Sequence, residues 1–191
     1  MSIPMESWPR RHRITVDDYY RMAEIGVLPR DARVELIEGE IIDMAPIGTE
    51  HASVVDRLNH LLVHAVGERA IVRVQSAARL SHITEPEPDV AVLKPRADFY
   101  RHAHPRGDEI LLLVEVSDSS LRYDRDIKMP LYARYGVGEF WLVDLVNGCL
   151  SIYGDLVDGE YRAHTSIRDP ALTALALLPD VRIDLGQIFE R

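Results

Sequence analysis

The sequence predicts an α/β domain in which one central mixed β-sheet is flanked by helices. Apolar runs of strand length alternate with segments whose apolar residues recur at helical spacing, which is the pattern of this fold class. The 191 residues suit one domain, and they contain no internal repeat, low-complexity tract or linker. The 47% hydrophobic and 28% charged residues are typical of a globular chain. We therefore expect residues 14–191 to form one domain behind an irregular leader, residues 1–13.

The N-terminal third predicts two helices that enclose a hairpin. Thr15 is a suitable N-cap and is followed by acidic residues, so we expect a helix over residues 16–25. Two short apolar runs flank Glu38-Gly39, which predicts a β-hairpin over residues 33–44. Apolar residues at helical spacing then predict a long helix that begins near residue 49 and ends near residue 67.

The middle of the chain predicts three strands. Residues 71–80 alternate between apolar and polar, as a half-buried strand does. The rigid Pro86-Glu87-Pro88 sequence leads into a strand over residues 89–93. Residues 109–116 contain an unbroken apolar run, which predicts a central strand buried on both faces.

The remaining elements are one helix and several strands. Gly136 is expected to end a helix over residues 127–135. Asn147-Gly148 predicts a tight turn between two strands. The strands expected in this part of the chain are residues 139–145, 150–153, 161–165 and 181–185.

Charge and composition exclude several classes of protein. The formal net charge of -9 argues against a basic footprint over the whole surface, so any nucleic-acid site must be local. The longest apolar runs are too short to span a bilayer, and residues 1–13 lack the apolar stretch of a secretory signal. Cys149 is the only cysteine and cannot form an internal disulfide, which favours a cytoplasmic protein.

Two acidic residues stand at matching ends of neighbouring predicted strands. Asp89 begins the strand at residues 89–93, and Glu115 lies near the end of the strand at residues 109–116. If these strands pair antiparallel, their two carboxylates lie side by side. Carboxylates held that close repel each other unless a proton or a cation lies between them. Oxygen ligands at a sheet edge suit Mg²⁺, so we expect a metal ion there.

Lys128 is the candidate amine. Of 22 lysines and arginines, only Lys94 and Lys128 are lysines, so a lysine marks a position where an amine is wanted. Asp126 is expected to cap the helix at residues 127–135, which places Lys128 in its first turn and against the helix dipole. Nearby carboxylates would offset that cost, and an amine beside a metal ion can orient an attacking water.

These residues resemble the PD-(D/E)XK nuclease motif. Pro88-Asp89 and Glu115-Val116-Ser117 match its acidic positions, with Ser117 where the lysine usually stands. Further segments are similar to the Uma-two family, a bacterial endonuclease branch of that superfamily, and the resemblance covers about residues 15–185. The segments that carry it are residues 35–40, His51, 114–120, 123–128, Tyr132, 136–137 and 139–144.

The resemblance implies a restriction-endonuclease-like fold and a Mg²⁺- or Mn²⁺-dependent hydrolysis of phosphodiester bonds in DNA. It implies that Asp89 and Glu115 hold the metal ion together with the Val116 carbonyl. It also implies that Lys128, on the helix after the acidic strand, replaces the usual lysine, and that Glu35 completes the carboxylate set. The alternative for Glu35 is a solvent-facing side chain.

Other residues near these segments have open roles. His51 is a candidate for positioning or phosphate contact, or else a capping or surface histidine. Gln75 lies on a strand that can border the site. The alternative for Glu115 is an ion pair with Arg122 or Arg125. His102 and His104 lie in a polar loop, which we expect to be solvated rather than to bind a metal.

The sequence therefore predicts a metal-dependent endonuclease. Two other classes stay open: an inactive nucleic-acid-binding or structural module on the same fold, and a hydrolase of small phosphate esters. An inactive module would turn Lys128 away from the carboxylates, and a small-ester hydrolase would need a closed pocket. A homodimer would let two sites address two DNA strands. The arginines expected to line a DNA groove are Arg73, Arg79, Arg96, Arg101, Arg106, Arg122 and Arg125.

Overall fold

The structure is a computed structural model that describes residues 11–29, 31–168, 170–186 and 188–189. Short 3₁₀ turns occur at Gly67–Arg69 and Gly107–Glu109. The other elements are, in chain order, α1 (Val16–Glu24), β1 (Val34–Ile37), β2 (Glu40–Asp43), α2 (Thr49–Val66), β3 (Ile71–Val74), β4 (Val90–Leu93), β5 (Ile110–Ser117), α3 (Leu121–Tyr123), a π-helical turn (Asp124–Lys128), α4 (Met129–Arg134), β6 (Phe140–Asp144), β7 (Cys149–Val157), β8 (Glu160–Ile167), β9 (Leu172–Leu175) and β10 (Leu178–Asp184).

Six strands form a mixed central sheet in the order β3-β4-β5-β6-β7-β8. The β5-β6 pair is parallel and the other neighbouring pairs are antiparallel. The core lies on both faces, with α2 and the β9-β10 hairpin against one face and α4 against the other. This architecture confirms the predicted α/β class with one mixed central sheet.

The predicted elements of the N-terminal third are present. Thr15 caps α1, where its hydroxyl accepts a hydrogen bond from the Asp18 N–H at 3.1 Å. Glu38 and Gly39 both have positive φ, at 50° and 77°, which suits the tight turn between β1 and β2. This hairpin forms its own two-stranded sheet, and in strand pairing it meets the rest of the described chain through the Leu36–Glu85 bridge.

Two strand predictions are wrong in detail. The strand expected over residues 71–80 ends at Val74, because Gln75 adopts a positive φ of 45° and breaks the ladder. After Gln75 the backbone forms hydrogen bonds with loops instead of a neighbouring strand. The Arg79 N–H, for example, donates to the Pro105 carbonyl at 2.9 Å. Strand β9 was not expected; it pairs with β10 in a separate hairpin.

The helix predicted over residues 127–135 begins earlier, at Leu121. Asp126 does not cap it; its carboxylate instead pairs with the neighbouring Arg125 at the surface. The helix widens into the π-helical turn just before Pro130, whose ring lacks an N–H and would clash with the carbonyl four residues back in a regular α-helix. Lys128 therefore ends a second helical segment, and the argument that placed it in a first turn against the dipole is wrong.

The described chain contains no helix that is long and apolar enough to cross a membrane. Residues 1–10 of the predicted leader lie outside the described residues. The division into a leader and one domain stays a prediction.

Candidate active site

The β4-β5 register brings the two predicted carboxylates together. Val90 pairs with Val114 in this antiparallel pair, so Asp89 and Glu115 follow at the same end of the two strands. The Val116 N–H donates to Asp89 Oδ2 at 2.8 Å, which ties the two strand ends to each other. Both carboxylates are buried, and both line one cleft.

Asp89 is held by two further predicted residues. His51, in the first turn of α2, lies with Nε2 3.1 Å from Asp89 Oδ2. That hydrogen bond raises the pKa of His51, and it outweighs the effect of burial, which lowers it. Gln75 Nε2 lies 3.4 Å from Asp89 Oδ1, and its backbone N–H donates to the Asp89 carbonyl at 3.0 Å. His51 and Gln75 thus orient Asp89.

Lys128 lies between two carboxylates. Its Nζ is 3.1 Å from Glu115 Oε1 and 3.0 Å from Glu35 Oε2. Lys128 is only 4% exposed. Burial lowers the pKa of the amine, but the attraction of Glu115 and Glu35 outweighs it and the net pKa is raised. Lys128 is therefore an ammonium ion at neutral pH.

Glu35 is buried, so the solvent-facing alternative for this residue is wrong. It reaches the site from β1, and its Oε2 also accepts the Glu87 N–H at 3.2 Å. The hairpin thus brings a third carboxylate to the end of the central sheet, against Lys128.

Burial raises the pKa of Glu115 above its ordinary value. Lys128 opposes this shift, whereas the nearby charges of Asp124, Asp89 and Glu35 add to it. Tyr132 donates to Glu115 Oε1 at 2.5 Å, so the hydrogen bonds of Glu115 within the described chain fall on Oε1. Oε2 is the oxygen left for a ligand. The alternative partners considered for Glu115, Arg122 and Arg125, do not contact it; its cationic partner is Lys128.

Two residues of this site were missed in the sequence. Asp124 is buried and accepts hydrogen bonds from Ser117 Oγ at 2.7 Å and Ser120 Oγ at 2.5 Å. Tyr132 is the partner of Glu115. The sequence did contain a signal for them. Asp124, Lys128 and Tyr132 are four residues apart, and in a helix residues at that spacing lie on the same face.

Acidic side chains outnumber basic ones in the cleft, and this imbalance suits a bound cation. Within the described residues, no group of three His, Cys, Asp or Glu side chains is arranged to hold a metal ion. Mg²⁺ needs fewer ligands, since it binds one or two carboxylates and keeps several waters. Asp89 and Glu115 fit that requirement. The acidic lining residues are Glu35, Asp43, Glu87, Asp89, Glu115, Asp118 and Asp124, and the basic ones are Arg33, Lys128 and His51.

The remaining predicted residues lie elsewhere. His102 and His104 line a separate cavity on the loop between β4 and β5. Arg125 is paired with Asp126 at the surface. Ser117 stands where the nuclease motif usually has a lysine. Its hydroxyl donates a hydrogen bond to Asp124.

Comparisons with known proteins place the chain among nuclease-like folds. The family model Uma2, described as "Putative restriction endonuclease", matches residues 16–186. A crystal structure of a "putative nuclease belonging to DUF820" from Anabaena variabilis matches with a TM-score of 0.72 and 16% identity, over 92% of this chain and 97% of that chain. No curated protein sequence matches at a significant level. The restriction-endonuclease-like fold is confirmed.

Proposed function

Because the chain belongs to the Uma2 family, we propose that it is a metal-dependent endonuclease that hydrolyses phosphodiester bonds in DNA. The family supports a nuclease-like function; the metal ion and the DNA substrate are our proposal. One observation carries it: two adjacent buried carboxylates and a buried ammonium group line the same open cleft at the end of the central sheet.

The residues proposed to hold a Mg²⁺ or Mn²⁺ ion are Asp89, Glu115 and the Val116 carbonyl. When bound, the ion supplies positive charge that offsets negative charge developing on the phosphate. Asp89 is pre-oriented by His51 and Gln75, and Glu115 presents Oε2 because its other oxygen is occupied. Such a pre-arranged site loses little free energy to reorganisation during the reaction.

Lys128 is proposed to act as an ammonium ion. Its raised pKa makes it a poor base at neutral pH, so its roles are to orient the attacking water and to attract the charge that develops on the phosphate. Glu35 holds Lys128 in place from β1 and keeps its Nζ beside Glu115. Glu35 is thus a positioning residue in this scheme.

The geometry favours an enzyme over an inactive module. An inactive module would be expected to turn Lys128 away from the carboxylates, whereas its Nζ contacts two of them. The cleft also opens between the exposed residues 45–48 and the exposed Asp118 and Ser119. An open cleft suits a polymer better than a small phosphate ester, which favours a nucleic acid as the substrate.

Cleavage assays can test this proposal with purified protein. We expect nicking of supercoiled plasmid with Mg²⁺ or Mn²⁺, none in chelator, and none with the Asp89→Asn variant. Parallel assays use single-stranded DNA, RNA and an activated phosphodiester ester as substrates. Cleavage that persists in chelator would contradict the proposed metal dependence. Cleavage of only RNA or only the small ester would contradict DNA as the substrate. Sedimentation of the same sample tests the predicted homodimer.

A further inference from the structure

A second cavity lies between α1 and the loop that joins β4 to β5. We name it the arginine cavity, after Arg79, Arg101 and Arg106, which line it together with His102 and His104. Among the described residues, its lining includes two tyrosines and no carboxylate. On a chain with a net charge of -9, a concave surface with this composition is a local site for an anion.

The walls of the arginine cavity are held by specific contacts. Arg79 is fixed by an ion pair with the buried Glu85, and its guanidinium lies 5.9 Å from the centre of the Tyr20 ring. The Tyr20 hydroxyl lies 3.2 Å from His104 Nε2. Tyr100 is buried and donates to the Lys94 carbonyl at 2.9 Å. The cavity is therefore formed before any ligand arrives.

Two arginines of the arginine cavity are available to bind a ligand. Arg101 and Arg106 are exposed, and within the described residues neither forms an ion pair. Arg96, on the same loop, differs, because its guanidinium bonds Asp98 at 2.8 Å and lies 3.5 Å from Glu109. The guanidinium groups of Arg101 and Arg106 are thus available to phosphate oxygens.

The arginine cavity adjoins the cleft. Glu85 contacts Arg79 in the cavity, and Glu87 lines the cleft. Two residues of extended chain span at most about 7 Å, so the backbone of this short segment lies close to the walls of both sites. A duplex carries a phosphate about every 3.4 Å along each strand, and one duplex can therefore contact both sites.

We infer that the arginine cavity binds the phosphodiester backbone of the DNA duplex while its scissile bond lies in the cleft. This inference rests on the proposed function and adds a second point of attachment. Base recognition is disfavoured, since arginines already lie over the rings of Tyr20 and Tyr100. Contacts from Arg101 and Arg106 would hold the duplex without reading its sequence. They would also offset the repulsion between the acidic cleft and the phosphates.

Fluorescence anisotropy of a labelled duplex tests this inference, with Ca²⁺ in place of Mg²⁺ to suppress cleavage. Binding is measured over a range of salt concentrations for the full chain and for a R101A/R106A variant. Each lost phosphate contact removes about 0.9 from the slope of log K against log salt, so the double variant should lose about 1.8. The control is R162A/R182A, which removes the same formal charge from exposed sites on β8 and β10, where Arg162 is paired with Glu160.

An equal loss of slope in R101A/R106A and R162A/R182A would overturn the inference, as would wild-type protein that binds no duplex. Binding of inorganic triphosphate is measured for the same variants. If R101A/R106A binds the duplex normally but no longer binds triphosphate, the cavity is a site for small anions instead. Plasmid nicking separates the two proposals. Binding that depends on Arg101 and Arg106 without any nicking would support the arginine cavity and contradict the proposed nuclease, whereas nicking with unchanged binding would do the reverse.

Discussion

Glu115 and Glu139 are two buried glutamates in opposite situations. Both are at most 3% exposed, and burial raises the pKa of each. Each oxygen of Glu139 has one neutral donor: Trp141 Nε1 lies 2.8 Å from Oε1 and the Ala176 N–H lies 2.7 Å from Oε2. The donors of Glu115 are both on one oxygen, and one of them is the Lys128 ammonium.

In the proposed scheme, this difference separates a structural carboxylate from a metal-binding one. Glu139 joins the start of β6 to the turn of the β9-β10 hairpin, and its hydrogen bonds are complete. Glu115 lines the cleft with an oxygen that lacks a donor in the described chain. Burial alone would have marked both residues, so the distribution of donors is what distinguishes these two glutamates.

The largest expected effect contrasts the two glutamates directly. Glu115→Gln should reduce metal-dependent plasmid cleavage below detection, because an amide is a far weaker ligand for a divalent cation. Glu139→Gln should leave the cleavage rate per folded molecule nearly unchanged and lower the free energy of unfolding by about 1–3 kcal/mol, because an amide cannot accept from both donors. Rates and urea unfolding curves are measured together. Equal losses of activity would show that the comparison is wrong.

Lys128 sharpens the comparison, because among the described residues Glu139 has no cationic partner. Lys128→Met should lower cleavage by about 10²–10³-fold, the usual loss when one preorganised electrostatic donor is removed. Lys128→Arg should not restore it fully, since a guanidinium is bulkier than an ammonium.

The burial of Lys128 between two carboxylates also predicts an effect on stability. Removing one partner of a buried ion pair costs about 3–5 kcal/mol, so Lys128→Met should lower the thermal midpoint. Lys128→Met with Glu35→Gln should recover part of that loss without recovering cleavage. Lys94→Ala, at the surface, is the control and should change neither quantity. A Lys128→Met protein that cleaves at the wild-type rate contradicts the proposed role.

Metal binding should distinguish the cleft from Glu139 without any turnover. Mn²⁺ at about 100 times its dissociation constant should stabilise the folded wild-type protein by about 2.7 kcal/mol. Thermal unfolding should show the same shift for Glu139→Gln and none for Asp89→Asn. A shift that survives in Asp89→Asn would place the ion elsewhere.

The smallest expected effect concerns Glu38, a partly exposed glutamate at the tip of the hairpin. Burial raises its pKa, but hydrogen bonds from Tyr135 and Thr84 outweigh burial, and the net pKa is lowered from 4.5. Glu38 therefore stabilises the fold above pH 4.5, and this contribution is lost as the pH falls through its lowered pKa. Urea midpoints between pH 6 and pH 3 should fall less steeply for Glu38→Gln than for wild type. If the urea midpoints of wild type and Glu38→Gln fall equally with pH, the predicted stabilisation by the Glu38 carboxylate is wrong.

Much of the fold was predictable because its signals are local. Thr15, Glu38-Gly39 and the apolar run of β5 each specify an element through neighbouring residues. Asp89 and Glu115 were placed together correctly because strand ends and antiparallel pairing are simple to combine. Gln75 shows the limit, since its positive φ comes from contacts with the Asp89 strand and not from its own neighbours.

The site was harder to predict, because its partners are distant in sequence. Lys128 was singled out partly for a wrong reason, its supposed place in a first helical turn. Its two partners, Glu35 and Glu115, come from a separate hairpin and from the central sheet. Asp124 was missed because nothing in the sequence shows that the Ser117 and Ser120 hydroxyls bond to it.

The β1-β2 hairpin carries Glu35 but is joined to the remainder by few backbone hydrogen bonds. Leu36 and Glu85 exchange two, and Gly39 donates one to the Ile83 carbonyl and accepts one from the Ile14 N–H. β5, by contrast, has a partner strand on each side. The hairpin is therefore expected to open locally at a lower free energy than the sheet, with amide hydrogens that exchange sooner. Each opening would separate Glu35 from Lys128 and admit water to the cleft while the rest of the molecule stays folded.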